Sequence, residues 1–276
     1  MAGVTDVHVH VQPFRMLRPE ILEAMKRERP QFPEILRMST DPEVLLGILD
    51  RAGVERACLI NYVAPEVMGF LPAVNDFVLK YANADPERLI SFGSVHPAHA
   101  KDVKREARAL VKKGLRGFKV HPPHQLLFAN DPRLNPLYEV AEEAEIPVMV
   151  HTGTSTFPAA KSRYGDPITV DDMAVDHPDL TIIMAHGGRP LWCGTAFFLA
   201  RHHRNVYIDI SSIPPKRLLE YFPRLQEIPE KVLFGSDWPG PGVPGIQEEL
   251  DGIRAILPTK ELREKALVAN ARKVFP

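Results

Sequence analysis

The chain has 276 residues, with 34 Lys plus Arg against 35 Asp plus Glu and a formal net charge of −1. This balance argues against a nucleic-acid partner or an anionic membrane surface, both of which need a basic field. Two cysteines, Cys58 and Cys193, supply neither a disulfide framework nor a thiolate metal site. No apolar run approaches the ~20 residues that span a bilayer. The first strand begins almost at once, leaving no room for a signal peptide, so a cytoplasmic location is expected.

The first apolar run, 4–10, carries His8-Val9-His10. Residues two apart on a strand point the same way, so Asp6, His8 and His10 are expected on one interior face, with Val7 and Val9 turned toward helices. The connection 11–40 that follows is the longest in the chain and reads as a lid-like insertion. Asp41-Pro42 opens a helix, with a carboxylate N-cap and Pro at its first position; Val44, Leu45, Ile48 and Leu49 continue it, and Gly53 ends it.

Further apolar runs follow at 56–61, 89–95, 115–121, 146–151, 180–186, 206–211 and 232–237. Near-continuous Val/Ile-rich runs suit parallel strands buried on both faces. Helical periodicity occupies 100–113, 136–145, 190–203, 216–222, 245–257 and 259–275. Strand and helix alternate without a break in composition. This predicts one α/β domain over 1–276, a (β/α)8 TIM barrel in preference to an open doubly wound sheet. No Gly-X-Gly-X-X-Gly loop follows a strand, which argues against a nucleotide-binding enzyme.

His10, His121, His151, His186 and Asp237 each end one of these runs. In a barrel all strand C-termini surround one mouth, so these residues converge on a single site despite their separation in sequence. Imidazole and carboxylate at one mouth point to a divalent metal whose open positions admit water and substrate. Gly235, two residues before Asp237, leaves space for a deep ligand. Asp6 either orients a ligand imidazole or sits as a buried carboxylate on the barrel floor. His96 is a candidate for the mouth, whereas His99, His124, His177, His202 and His203 are expected in solvent and both cysteines in packing.

The motifs Asp6-Val7-His8-Val9-His10, Gly117-Phe118-Lys119-Val120-His121-Pro122, Val150-His151-Thr152-Gly153, Ala185-His186-Gly187-Gly188 and Gly235-Ser236-Asp237-Trp238-Pro239 together resemble the amidohydrolase superfamily. The similarity covers nearly the whole chain. It is strongest to the amidohydrolase-related branch of metal-dependent hydrolases and aminocarboxymuconate-semialdehyde-type decarboxylases. The resemblance implies a distorted barrel in which His8, His10, His151 and Asp237 bind one divalent ion, zinc or else manganese. His186, with Asp237, would activate water. Binuclear relatives bridge two ions with a carboxylated lysine on the fourth strand. Lys119 sits instead in a Lys-X-His-Pro pattern of the mononuclear branch and is read as a substrate-binding cation.

Lys119, His121, Arg189 and Trp238 are therefore the expected substrate contacts. The function expected is metal-dependent hydrolysis of an amide, ester or lactone of a small organic acid. Non-oxidative decarboxylation of an aromatic or muconate-like acid is the alternative enzyme, with Arg15 and Arg18 as additional carboxylate-clamp candidates. A metal-free lactonase and a non-catalytic ligand-binding barrel complete the alternatives. A homodimer is left open.

Overall fold

The computed structural model describes residues 3–276. Eight parallel strands lie side by side in chain order: β1 (Val4–Val9), β2 (Val54–Ile60), β3 (Leu89–Gly93), β4 (Gly117–Val120), β5 (Val148–His151), β6 (Ile182–Ala185), β7 (Val206–Asp209) and β8 (Val232–Leu233). The sheet closes where the chain beyond β8 runs along β1. Val7 N–H donates to Phe234 O (2.9 Å), Asp237 N–H to His8 O (2.8 Å) and His10 N–H to Trp238 O (2.7 Å). The fold is a TIM barrel.

Helices cover the outside. α1 (Pro19–Glu28) and α2 (Phe32–Thr40) occupy the long first connection. α3 (Pro42–Ala52) starts where the Asp41 carboxylate accepts from Glu43 N–H and stops at Gly53, whose φ of 66° is left-handed. Next come α4 (Val74–Ala82), α5 (Val103–Lys112), α6 (Pro122–Gln125), α7 (Asn135–Glu143), α8 (Thr169–Asp176), α9 (Cys193–His202), α10 (Leu218–Tyr221) and α11 (Ile246–Ile256). The periodicity missed α4 and α8, neither of which has a capping side chain at its start. The final helix expected over 259–275 is interrupted: a π-turn at Lys265–Ala269 separates α12 (Lys260–Glu264) from α13 (Asn270–Val274).

Two apolar layers result. One lies between strands and helices and includes Leu49, Leu59, Leu137, Val150, Ile182 and Met184. The other fills the barrel interior with Val7, Ile60, Phe92, Met149, Ile183 and Leu233, above a floor made by Ala271, Val274 and Phe275. Burial pushes the thiols of Cys58 and Cys193 upward, as packing roles require.

One expected facing is corrected here, and one turn departs from simple alternation. The register of β1 against β2 shifts between Asp6 and Val9, and Val7 therefore packs inside the barrel instead of against helices. On β6 the interior face is Ile183 and Ala185, while Ile182 and Met184 face outward. His186 lies beyond that strand and reaches the mouth through a left-handed backbone, φ 65°.

Glu249 on α11 is buried near Asp6 and Asp237. Burial, reinforced by these two carboxylates, pushes it up to about 7. A folded-state value above the unfolded one means its stabilising contribution is complete below about pH 4.5, the ordinary value, and is lost as pH rises through about 7. Glu249→Gln is therefore expected to melt a few degrees above the parent at pH 8 and level with it at pH 4.5. Calorimetry of both proteins across that range checks the sign.

Candidate metal centre and active site

At the C-terminal mouth, His8, His10, Lys119, His121, His151, His186, Arg189 and Asp237 all line one cavity of about 260 Å³. The predicted convergence of distant strand ends is thus present as geometry. Its centre is Asp237, whose Oδ1 lies 3.1 Å from His10 Nε2 and 3.5 Å from His8 Nε2. His8, His186 and Asp237 each offer a ligand atom within 4.8 Å of the others. Asp237, like His186, holds a left-handed backbone, φ 66°, a strained conformation of the kind that gathers at functional sites.

Three imidazoles are oriented from behind in the same sense. His8 Nδ1–H donates to Asp209 Oδ2 (2.6 Å), His10 Nδ1–H to Ile60 O (2.9 Å) and His186 Nδ1–H to Ser211 O (3.1 Å). Each Nε2 is left with a lone pair on the cavity side. His8 Nε2 is buried and has no hydrogen-bond partner among the described residues. Two such nitrogens facing one carboxylate oxygen repel it unless positive charge sits between them, either a proton or a bound cation. A divalent cation fits this donor set, and the carboxylate–histidine pair behind His8 is the usual support for a metal-ligating imidazole.

His151 stands slightly apart. Its Nε2 is 3.4 Å from Thr154 O, and its ring stacks on His121 (centroids 3.9 Å) and meets His186 edge-on (4.8 Å). Lys119 is fully buried, and its Nζ has no hydrogen-bond partner among the described residues. Burial lowers the Lys119 ammonium against the pull of Asp209 and Asp237. Arg189 donates from Nε to Ser212 O and from Nη2 to Ser212 Oγ (both 2.7 Å), which fixes its guanidinium at the cavity wall. Arg18 is engaged elsewhere, with Glu20 and Glu66 O.

Trp238 is not a lining residue. It sits in the outer core, 4% exposed, because its backbone continues the seam with β1 and carries the side chain away from the mouth. Asp6 does not reach an imidazole either; its Oδ1 accepts from the backbone N–H groups of His8 and Ser236, tying the two closing segments together. The orienting carboxylate is Asp209, which the sequence reading passed over although it lies within the seventh apolar run and ends β7. Gly235 makes room for this contact: a Cβ there would fall 2.6 Å from Asp209 Oδ1 and 2.7 Å from His8 Cβ. His124 and His177, expected in solvent, are buried, and His124 lines the cavity with Tyr62 and Ser155. His96 is buried beside Glu66 and His99 and does not line it.

The protonation pattern follows from burial. Desolvation keeps His8, His151 and His186 well below the usual imidazole range, and neighbouring Lys119 and Arg189 act in the same direction. Burial alone would raise Asp237, but the His10 contact and the charge of Arg189 outweigh it and hold the carboxyl well below its ordinary range. His8, His151 and His186 are therefore neutral and Asp237 is ionised, the forms that bind cations. Asp209→Asn is expected to weaken metal affinity ~10–100-fold while leaving the fold intact, read by competition against a chromogenic chelator.

A closed barrel with histidines and an aspartate gathered at its C-terminal mouth defines a mouth-site barrel of the metal-binding type. More narrowly, the chain belongs to the amidohydrolase family, whose model matches residues 5–276. It is 24% identical to the 4-sulfomuconolactone hydrolase of Rhizobium radiobacter over 307 aligned positions, covering 99% of this chain and 90% of the relative. It is 30% identical to the 2-pyrone-4,6-dicarboxylate hydrolase of Comamonas testosteroni over 142 positions, 37% of this chain and 46% of that relative. The latter match spans about half the length of the relative. A TIM-barrel protein from Bordetella bronchiseptica superposes with a TM-score of 0.77 at 21% identity, covering 98% of this chain and 97% of that one. Among the described residues no helix is long and apolar enough to cross a membrane.

Proposed function

We propose that this protein is a mononuclear metal-dependent hydrolase that opens an ester-type bond, a lactone above all, in a small organic acid. The observation that supports it most is the set of inward-facing His8 and His10 nitrogens around Asp237 Oδ1, inside a cavity that also carries Lys119 and Arg189. His8, His10 and Asp237 would hold one divalent ion, zinc or manganese, with His151 completing the set by giving up its long contact to Thr154 O. The ion supplies Lewis acidity and brings the pKa of a water toward about 7.

The chain's own residues do the rest. His186, neutral and fixed through Nδ1, accepts the proton of the attacking water at Nε2. Lys119 donates to a substrate oxygen, and Arg189 offers its remaining N–H groups to a carboxylate. His121 walls the cavity beside Lys119. Cationic walls in about 260 Å³ select a small anion. The segment 11–40 serves as a cover: Gln12 lines the cavity, and Arg29 Nη1 donates to Val243 O (3.1 Å) in the loop after β8. Two characterised relatives are named for lactone or pyrone hydrolysis, which favours ring opening over amide cleavage.

Assay of the zinc- or manganese-loaded protein with 2-pyrone-4,6-dicarboxylate and 4-sulfomuconolactone tests the reading. Loss of the ring absorbance without carbon dioxide release is expected. Carbon dioxide release from aromatic or muconate-like acids, with lactones untouched, would replace it with the decarboxylase.

A further inference from the structure

One polar chain in the cavity wall has no part in holding a metal. Tyr62 follows β2, His124 lies in α6, and Ser155 follows β5. Tyr62 Oη is 2.9 Å from His124 Nδ1, and His124 Nε2 is 2.8 Å from Ser155 Oγ. Ser155 Oγ also accepts from Phe157 N–H at 3.3 Å. His124 is stacked on His121 with centroids 3.6 Å apart, so its ring cannot turn without unstacking.

The direction of the protons decides what this chain does. Tyr62 is buried, 3% exposed, and His124 Nδ1 is the single hydrogen-bond partner its hydroxyl has among the described residues. Were His124 to donate from Nδ1, the phenolic O–H of this buried side chain would have no acceptor among the described residues, at a cost of ~1–3 kcal/mol where no water reaches it. With Tyr62 O–H donating to Nδ1, His124 carries its proton on Nε2 and donates to Ser155 Oγ. Both lone pairs of Ser155 Oγ are then taken, one by His124 and one by Phe157 N–H. Its own O–H has no acceptor among the described residues and is left to the cavity that Ser155 lines.

We propose that Tyr62 and His124 form a one-way hydrogen-bond chain that presents the Ser155 hydroxyl as a fixed donor to a carboxylate oxygen of the substrate. Ser155 is thereby a specificity-determining contact, and Tyr62 is a positioning residue acting through it. Burial keeps His124 neutral, pushing it down to about 3, so the chain transmits polarity and no charge. Aligned donors polarise one another, which makes the terminal hydroxyl a stronger donor than an isolated serine. The inference deepens the reading of this cavity as a small-acid site, and it also excludes Ser155 as a nucleophile, because its lone pairs are occupied.

The test is calorimetric binding of benzene-1,3-dicarboxylate and of benzene to the metal-loaded protein, which needs no turnover. Ser155→Ala is expected to weaken the dicarboxylate ~10-fold, as loss of one hydrogen bond to a charged group should, and to leave benzene unchanged. Tyr62→Phe should cost a smaller factor of ~3, and the double variant should be no weaker than Ser155→Ala alone, because the tyrosine acts only through the serine. Ser155→Thr keeps the hydroxyl and should restore most of the affinity. Multiplying losses in the double variant, no loss in Ser155→Ala, or no binding of the dicarboxylate by the parent would each overturn the proposal. So would an acyl adduct on Ser155 found by mass spectrometry during lactone turnover. Dicarboxylate binding that behaves as described in a protein inert toward every lactone would sink the hydrolase and leave this inference standing.

Discussion

Replacing His10 by alanine is expected to give a folded barrel that purifies without stoichiometric metal and turns over at least ~10³-fold more slowly, about 4 kcal/mol of lost transition-state stabilisation. The size follows from position. His10 Nε2 lies 3.1 Å from Asp237 Oδ1, at the point where the imidazole lone pairs converge. Removing it takes away one donor nitrogen and leaves Asp237 without its nearest imidazole. The fold should survive, because the backbone of His10, not its ring, joins the seam with Trp238. Elemental analysis, turnover and a melting curve on one preparation separate the three effects. Full metal content with lost activity would move His10 out of the ligand set.

The second large effect is at His186. His186→Ala should keep its metal and lose ~10²–10⁴-fold in kcat, the usual contribution of a positioned general base. The pH profile carries the signature. The parent's kcat should fall at low pH where His186 gains a proton, and burial places that limb well below the ordinary imidazole value. The limb should vanish in the variant. The contrary result is equally plain: His186 lies within 4.8 Å of His8 and Asp237, and loss of metal in His186→Ala would assign it to coordination instead.

Much of this site was legible from the sequence because a barrel converts strand-end position into proximity. His10, His121, His151, His186 and Asp237 were found by asking which apolar runs end in a ligand-type side chain, His8 by its two-residue spacing from His10, and all of them line one cavity. Simple alternation was less dependable. The shift of register in β1 put Val7 inside, and His186 turns inward by a left-handed backbone after β6, which no period of two describes.

The residues that were passed over act through others. Asp209 touches His8 and Ser211, and its role depends on a contact across more than two hundred residues. A signal for it existed, since it shares the interior face of β7 with Tyr207 and ends a strand like the other site residues. His124 gave no such signal. It sits in a Pro-Pro-His turn that reads as solvent-exposed loop, and the packing of His121, Tyr62 and Phe157 against it takes it out of water. Trp238 misled for the opposite reason: adjacency to Asp237 in sequence suggested the pocket, whereas strand geometry sends neighbours to opposite sides.

The central claim is that positions scattered from the first strand to the last surround one ion. Anomalous diffraction at the zinc edge, on crystals of protein purified without chelator and loaded with zinc, tests it most directly. One peak is expected, within about 2.0–2.2 Å of His8 Nε2, His10 Nε2 and an Asp237 oxygen. Two peaks bridged by Lys119, or none in crystals of protein that still turns over, would contradict it.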